Sequence, residues 1–325
     1  MSGHLALVVD RAGAALEIGS HDTVVLRHAD GSTERVGLRA LGTVVLHGNV
    51  KFSTELLRSL AAHDVALAMI PGPGYDDITA GFAPLAHRGA AMRHRQHLAY
   101  ASEEQRLALA RAAVIAKLRA MAEFALDHAP DAGGPFYRAM TAAVAARDLA
   151  TLMGIEGAAT ARHFARLGAV YGPAGPFTFN GRSRQPPMDA PNALMSLAYA
   201  LAQAEAVRLV LRAGLDVQVG FLHSLDRDRQ SLALDLIEPA RAPLDAWVHE
   251  LLAQRCSIRP NMFTGSERGP VWLTKEGRSA FYPMWFRDGY RIALGSMRPL
   301  LARILTALRG AAAHSPDCAD SAGAE

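Results

Sequence analysis

The sequence predicts an α+β chain, with a small β-rich N-terminal domain over residues 1–85, a larger all-α domain over 86–310, and a disordered tail over 311–325. Three observations carry this. Up to about residue 85, short β-prone runs alternate with turn signals; after about residue 90 the apolar spacing becomes helical; and beyond Gly310 the residues are small and polar.

In chain order, residues 5–9, 15–18, 23–26, 43–46 and 65–70 are rich in Val, Ile and Leu and read as strands. Asp30-Gly31 and Pro71-Gly72-Pro73-Gly74 are turn signals. Residues 53–63 carry a helical pattern, and 71–89 is the expected hinge. Helices are expected over 103–128, 135–167, 190–213, 231–254 and 297–309. The stretch 171–188, with four prolines and three glycines, is too irregular for a helix and reads as a mobile loop. The apolar segment 193–210 is interrupted by Gln203, Glu205 and Arg208, so it predicts a buried helix and no membrane span.

Four ionisable residues lie inside stretches that should bury them: Glu156, His223, Asp235 and Glu238. An isolated buried carboxylate costs several kcal/mol, so such groups are neutralised, paired with a cation or bound to a metal. The run Leu149, Leu152, Met153, Glu156, Thr160, His163, Phe164 and Leu167 follows one helix face and turns Glu156 inward. Gly154 and Gly157 beside it suggest close approach to the helix backbone, by another helix or a nucleic acid. Ser231 reads as the cap of a helix carrying Asp235 and Glu238 on a shared face, which Pro239 would end or kink. An inward Glu is more often paired with a buried Arg than with a metal. The residues by themselves leave open an ion pair or a hard-metal site for Mg²⁺ or Mn²⁺.

Charge is distributed unevenly. The 325-residue chain has a net charge of only +3, yet residues 88–119 hold Arg88, Arg93, Arg95, Arg106, Arg111, Lys117 and Arg119 against Glu103 and Glu104. A helix-borne basic stretch suits a phosphate backbone, and equally an ordinary solvated face. Lys51, Lys117 and Lys275 are the lysines; nearly every other cation is Arg. Cys256 and Cys318 show neither disulfide nor zinc spacing, and the N-terminus has no secretory pattern, so a cytoplasmic setting is expected.

Several segments together resemble the CRISPR-associated Cas1 family of spacer-acquisition integrases and metal-dependent DNA endonucleases. They are LMGIEGAATARHF at 152–164, RSRQPPMDAPNALMSLAY at 182–199 and GLDVQVGFLHSLDRDRQSLALDLIEPAR at 214–241, with a weaker echo in VWLTKEGRSAF at 271–281. Residues 41–70 also look like the family's strand, helix and strand.

The resemblance implies that the helical domain is catalytic and that Glu156, His223 and Glu238 ligate Mg²⁺ or Mn²⁺. Asp235 joins the catalytic set as a ligand or a support. Arg182, Arg184, Asp189 and Asn192 match the second motif, and Arg182, Arg184, Arg241, Lys275, Arg93 and Arg95 are candidate DNA contacts. The metal would polarise a phosphodiester towards attack by a DNA 3′-OH or by water. The expected partners are spacer-precursor DNA, the CRISPR repeat, a second copy forming a homodimer through the N-terminal domain, and Cas2 bridging two dimers into a heterohexamer. Two rivals are a transposase-like relative and a DNA-binding subunit without chemistry. The 15 residues after Gly310 are too few for the extra DNA-binding module that the first would carry.

Overall fold

The computed structural model describes residues 5–10, 13–63, 65–70, 80–82, 89–129, 132–171, 177–183, 186–226, 229–253, 258–265 and 269–310. The N-terminal part is built from β1 (Leu5–Val9), β2 (Ala15–Gly19), β3 (Thr23–Arg27), β4 (Thr33–Gly37), β5 (Leu41–His47), β6 (Lys51–Phe52), α1 (Thr54–Ala62), β7 (Ala66–Ile70) and β8 (Ala80–Phe82). They form two four-stranded sheets. One runs β1-β5-β7-β8, parallel through β7 with β8 antiparallel; the other runs β4-β3-β2-β6.

Alternation explains the layering. Leu7 and Val9, Val24 and Leu26, and Val44 and Leu46 lie two residues apart, so each pair faces one side of its sheet. With Leu16 and with Leu56 and Leu60 of α1 they form the N-terminal core. Val45, Ala68 and Ile70 point the other way, into the core of the helical part. The parallel sheet is therefore a shared wall, buried on both faces as its continuous apolar strands require. Ser53 caps α1 by accepting from Leu56 N at 3.2 Å.

The helical part comprises α2 (Ala90–Ala101), α3 (Glu103–His128), α4 (Gly134–Ala145), α5 (Leu149–Tyr171), α6 (Ala190–Arg212), α7 (Ser231–Ala253), β9 (Phe263–Thr264), β10 (Trp272–Leu273), α8 (Lys275–Met284), a π-helical turn (Trp285–Gly289) and α9 (Tyr290–Gly310). α7 packs against α3, α6 and α9 at its centre. α6 is long and apolar enough to cross a membrane, but 61% of its apolar window is buried inside this core.

Several expectations change. The helix expected over 135–167 is two helices, because Asp148 accepts from Thr151 N at 2.7 Å and starts α5 anew. Pro239 does not end α7, which runs through Pro239 and Pro243 to Ala253. Burial of Leu236, Ile237, Ala240, Leu244 and Trp247 on both flanks outweighs the roughly 3 kcal/mol a helix-interior proline costs. Ser231 is the first residue of α7, and its hydroxyl donates to Ser224 O at 2.7 Å instead of capping. Strands β4, β6 and β8 and helices α2 and α8 went unpredicted; β4 is a largely exposed strand with no apolar alternation. The tail at 311–325, and the hinge apart from 80–82 and Gly89, lie outside the described residues.

Candidate active site

The centre of the site is a lysine. Lys117 lies on α3 among Ala113, Val114, Leu118 and Met121, all buried, so packing that face carries the ammonium inward. It contacts Glu156 of α5 and lies 2.5 Å from Glu238 Oε2 of α7. Thr160, one turn beyond Glu156, donates to Glu156 Oε1 at 2.8 Å. Arg241, one turn beyond Glu238, donates to Glu238 Oε1 at 2.9 Å. Burial opposes charge on Glu238, but Arg241 and Lys117 outweigh it and hold its pKa down at about 2.

A second constellation fixes His223. Asp235 of α7 accepts from the backbone N–H groups of Phe221 at 2.6 Å, Leu222 at 3.0 Å and His223 at 3.0 Å, and it bonds His223 Nδ1 at 2.7 Å. These four contacts fill both carboxylate oxygens, so Asp235 positions His223 and has no free oxygen for a second metal. A carboxylate acceptor requires the proton on Nδ1, which leaves the Nε2 lone pair of a neutral ring as the available donor. The loop is held from three sides. Gln96 donates to Asp216 O and Val219 O at 2.9 and 2.7 Å, and Arg106 donates to Phe221 O at 3.2 Å. Gly220 packs so tightly on α7 that an added Cβ would stand 2.6 Å from the Ser231 carbonyl carbon.

Behind Glu238, the Arg241 guanidinium lies 4.7 Å from the Tyr199 ring centre. The Tyr199 hydroxyl donates to Asp245, which also bonds His163 Nε2 at 2.8 Å. Burial, reinforced by Asp245, pushes the Tyr199 hydroxyl well above its ordinary pKa and keeps it a donor.

The expected basic contacts divide. Arg182 uses its terminal nitrogens on Ser183 O, Asn192 Oδ1 at 2.8 Å and Ser196 Oγ at 3.2 Å, and stacks 5.4 Å from the Tyr199 ring. Asp189 caps α6 through Asn192 N at 2.8 Å. The second motif thus ties residues 180–183 to the start of α6, and Arg182 is a structural clamp before it is a DNA contact. Arg241 is likewise occupied by Glu238, and Arg184 lies outside the described residues. In the basic stretch, Arg106 and Lys117 turn inward, while Arg111 donates to Ala143 O and Ala146 O at the end of α4. Arg93, Arg95 and exposed Lys275 carry no side-chain ion pair among the described residues.

Two further expectations are corrected. Apart from the neighbouring backbone of α5 itself, no atom of the described residues lies within 4 Å of a Cβ built on Gly154 or Gly157, and both glycines are exposed, so of the two expected neighbours the helix is excluded. Met153 is also exposed, whereas Leu152, His163 and Leu167 are buried as the periodicity requires.

The donor set tests the expected metal. Glu156 and Glu238 are hard oxygen donors aimed at one cation position, and buried Glu238 Oε2 faces the Lys117 ammonium at 2.5 Å. Two carboxylates therefore fit a divalent ion. The expected three-ligand set is not assembled: among the described residues no three His, Cys, Asp or Glu side chains converge closely enough to hold a metal. The physical reason is that the Lys117 ammonium fills the position between Glu156 and Glu238. Lys117 went unrecognised because it was grouped with the surrounding arginines; its buried apolar neighbours on the same face were the signal.

The family model for CRISPR associated protein Cas1 matches residues 7–287. A Thermus thermophilus protein named CRISPR-associated endonuclease Cas1 1 is 32% identical over 323 residues, covering 96% of this chain and 98% of its own. Among solved structures, a Cas1 protein from Thermotoga maritima superposes with TM-score 0.81 at 23% identity, covering 94% of this chain and 97% of its own. A casposase bound to integration product gives 0.76 at 19%, covering 94% and 91%. A Cas6-RT-Cas1–Cas2 complex gives 0.79 at 18%, covering 95% of this chain and 35% of that one. At these identities the structural likenesses carry the fold, while the family model and the Thermus relative carry the kinship: this chain belongs to the CRISPR-associated Cas1 family.

Proposed function

We propose that the chain is the integrase and DNA endonuclease of CRISPR adaptation, joining 3′-OH ends of spacer DNA to the CRISPR repeat and cutting DNA at the Glu156, His223 and Glu238 site. The observation that carries this reading is a pair of carboxylates, half-buried Glu156 of α5 and buried Glu238 of α7, converging on one cation position in a Cas1-family chain. The endonuclease name of the Thermus relative, the casposase with its integration product and the complex with Cas2 support it.

Mg²⁺ or Mn²⁺ held by Glu156 and Glu238, with His223 completing the set, would supply Lewis acidity towards the phosphodiester. The chain's own residues prepare the site. Arg241 keeps Glu238 ionised, Asp235 fixes the His223 tautomer, and the Tyr199–Asp245–His163 network holds Arg241 in place. Arg93, Arg95 and Lys275 engage DNA phosphates. Residues 1–85 form the dimerisation domain and 86–310 the catalytic domain, with two homodimers bridged by Cas2.

A second reading, a DNA-binding subunit without chemistry, is favoured by Lys117, which already neutralises the carboxylate pair. A strand-transfer assay separates the two. It uses a short 3′-OH duplex and a supercoiled plasmid carrying a CRISPR repeat, with Cas2 present and with Mg²⁺, Mn²⁺ or EDTA. Joining that needs metal and disappears in folded His223→Ala supports the integrase. Metal-dependent cutting without joining narrows the activity to a nuclease; DNA binding with neither supports the silent subunit.

A further inference from the structure

We propose that Lys117 is a built-in counter-cation: its ammonium holds the position between Glu156 and Glu238 until a divalent ion enters, and entry displaces it. This concerns regulation of the site just described and rests on that reading of it.

Three observations carry the inference. The Lys117 side chain is 5% exposed, and its ion-pair partners are the two carboxylates from α5 and α7. Without it, two negative charges would face each other with little water between them, which a fold does not tolerate. Second, the two oxygens of Glu238 have separate duties. Oε1 accepts the Arg241 hydrogen bond at 2.9 Å, whereas Oε2 faces Lys117 alone, at 2.5 Å. Lys117 can therefore leave while Arg241 stays and holds the Glu238 carboxylate in place. Third, the Glu156 side chain is 21% exposed, so this side of the ion pair keeps contact with solvent. An ammonium and a divalent cation repel and cannot share one position. The flexible four-carbon stem lets the lysine withdraw, which a rigid guanidinium fork would resist.

The composition makes a direct test available, because Lys51, Lys117 and Lys275 are the lysines of the chain and each can be followed by mass spectrometry. Wild-type protein is treated with an amine-acetylating ester with and without Mn²⁺, at a concentration shown to saturate by electron paramagnetic resonance. Exposed Lys51 and Lys275 should label equally in both samples. Lys117 should be protected without Mn²⁺ and label about tenfold faster or more with it, as release from a buried ion pair implies. In parallel, Lys117→Met should bind Mn²⁺ about tenfold tighter or more than wild type, since a competing charge is gone. Lys117→Arg, which keeps the charge in a larger group, should bind more weakly than wild type. Mn²⁺ that binds wild type without changing Lys117 labelling overturns the displacement, whether or not Lys117→Met folds. Tighter binding must likewise appear in folded Lys117→Met; equal or weaker binding there also overturns it. Absence of Mn²⁺ binding in both wild type and folded Lys117→Met removes the metal reading itself, and the displacement with it.

Discussion

The strand-rich and helical regions bury different things. Among the described residues of the N-terminal part the buried polar side chains are His28 and Thr43, and its core is Leu and Val with one Ala. The helical part buries Lys117, Asp189, Glu205, Arg208, Asp235, Glu238 and Asp245. Buried ion pairs add little net stability compared with apolar packing of the same volume. The first core is therefore a solution to folding, and the second accepts an electrostatic cost in order to hold charged groups where chemistry needs them. The two are joined across the shared sheet by Thr43, which donates to Glu205 at 3.0 Å, and by Arg278, which donates to Asp10 at 2.7 Å.

The contrast is sharpest where one partner of a buried pair is removed. Glu238→Ala leaves Lys117 and Arg241 facing each other, and the expected loss is about 3–5 kcal/mol of unfolding free energy together with all phosphodiester chemistry. Urea denaturation measures the first; a loss under about 1 kcal/mol would mean the pair is screened like a surface one. In the other core, Leu16→Ala should cost about 2–5 kcal/mol through the cavity it leaves. Leu16→Met should cost less than about 1.5 kcal/mol and leave strand transfer intact, because only shape matters there.

Asp235→Asn tests whether a buried charge that never touches substrate still governs the site. Activity should fall about 10–100-fold as the His223 tautomer and ring orientation are released, with DNA binding retained; equal activity in folded protein would assign Asp235 to packing alone. A separate, pH-dependent effect belongs to the junction. Burial, then Arg278, holds the His47 pKa down from 6.5 to about 4, against an opposing pull from Asp10. Because the folded pKa lies below the unfolded one, His47 contributes stability that is fully present above about pH 6.5 and lost as pH falls towards 4. Melting curves of His47→Gln should be flatter than wild type across that window, and an unchanged slope would assign the pH dependence elsewhere.

Much of the fold was legible. The helix expected over 103–128 and the strand over 5–9 coincide with the observed elements, because their apolar periodicity is uninterrupted and capping and turn residues bound them. The break before α5 was missed although Asp148 and Thr151 spell a cap, since the apolar pattern runs across it. α7 was legible in place but not in behaviour: two prolines argue locally against a helix that packing on three neighbours sustains. At the site, Glu156 and Glu238 stood out as carboxylates in apolar runs, whereas Arg182 and Arg241 read as free cations and are internally engaged.

The sequence alone determined the strand-rich region followed by a helical one, the inward direction of Glu156, Asp235 and Glu238, and the family kinship, because periodicity and motifs are local in the chain. Only the tertiary structure decided what neutralises those acids. Lys117, Glu156 and Glu238 come from α3, α5 and α7, and His163, Tyr199 and Asp245 from α5, α6 and α7. Electrostatic compensation acts through space over a few ångströms, so the partner of a buried charge is set by which helix faces pack together, a property that no local pattern encodes.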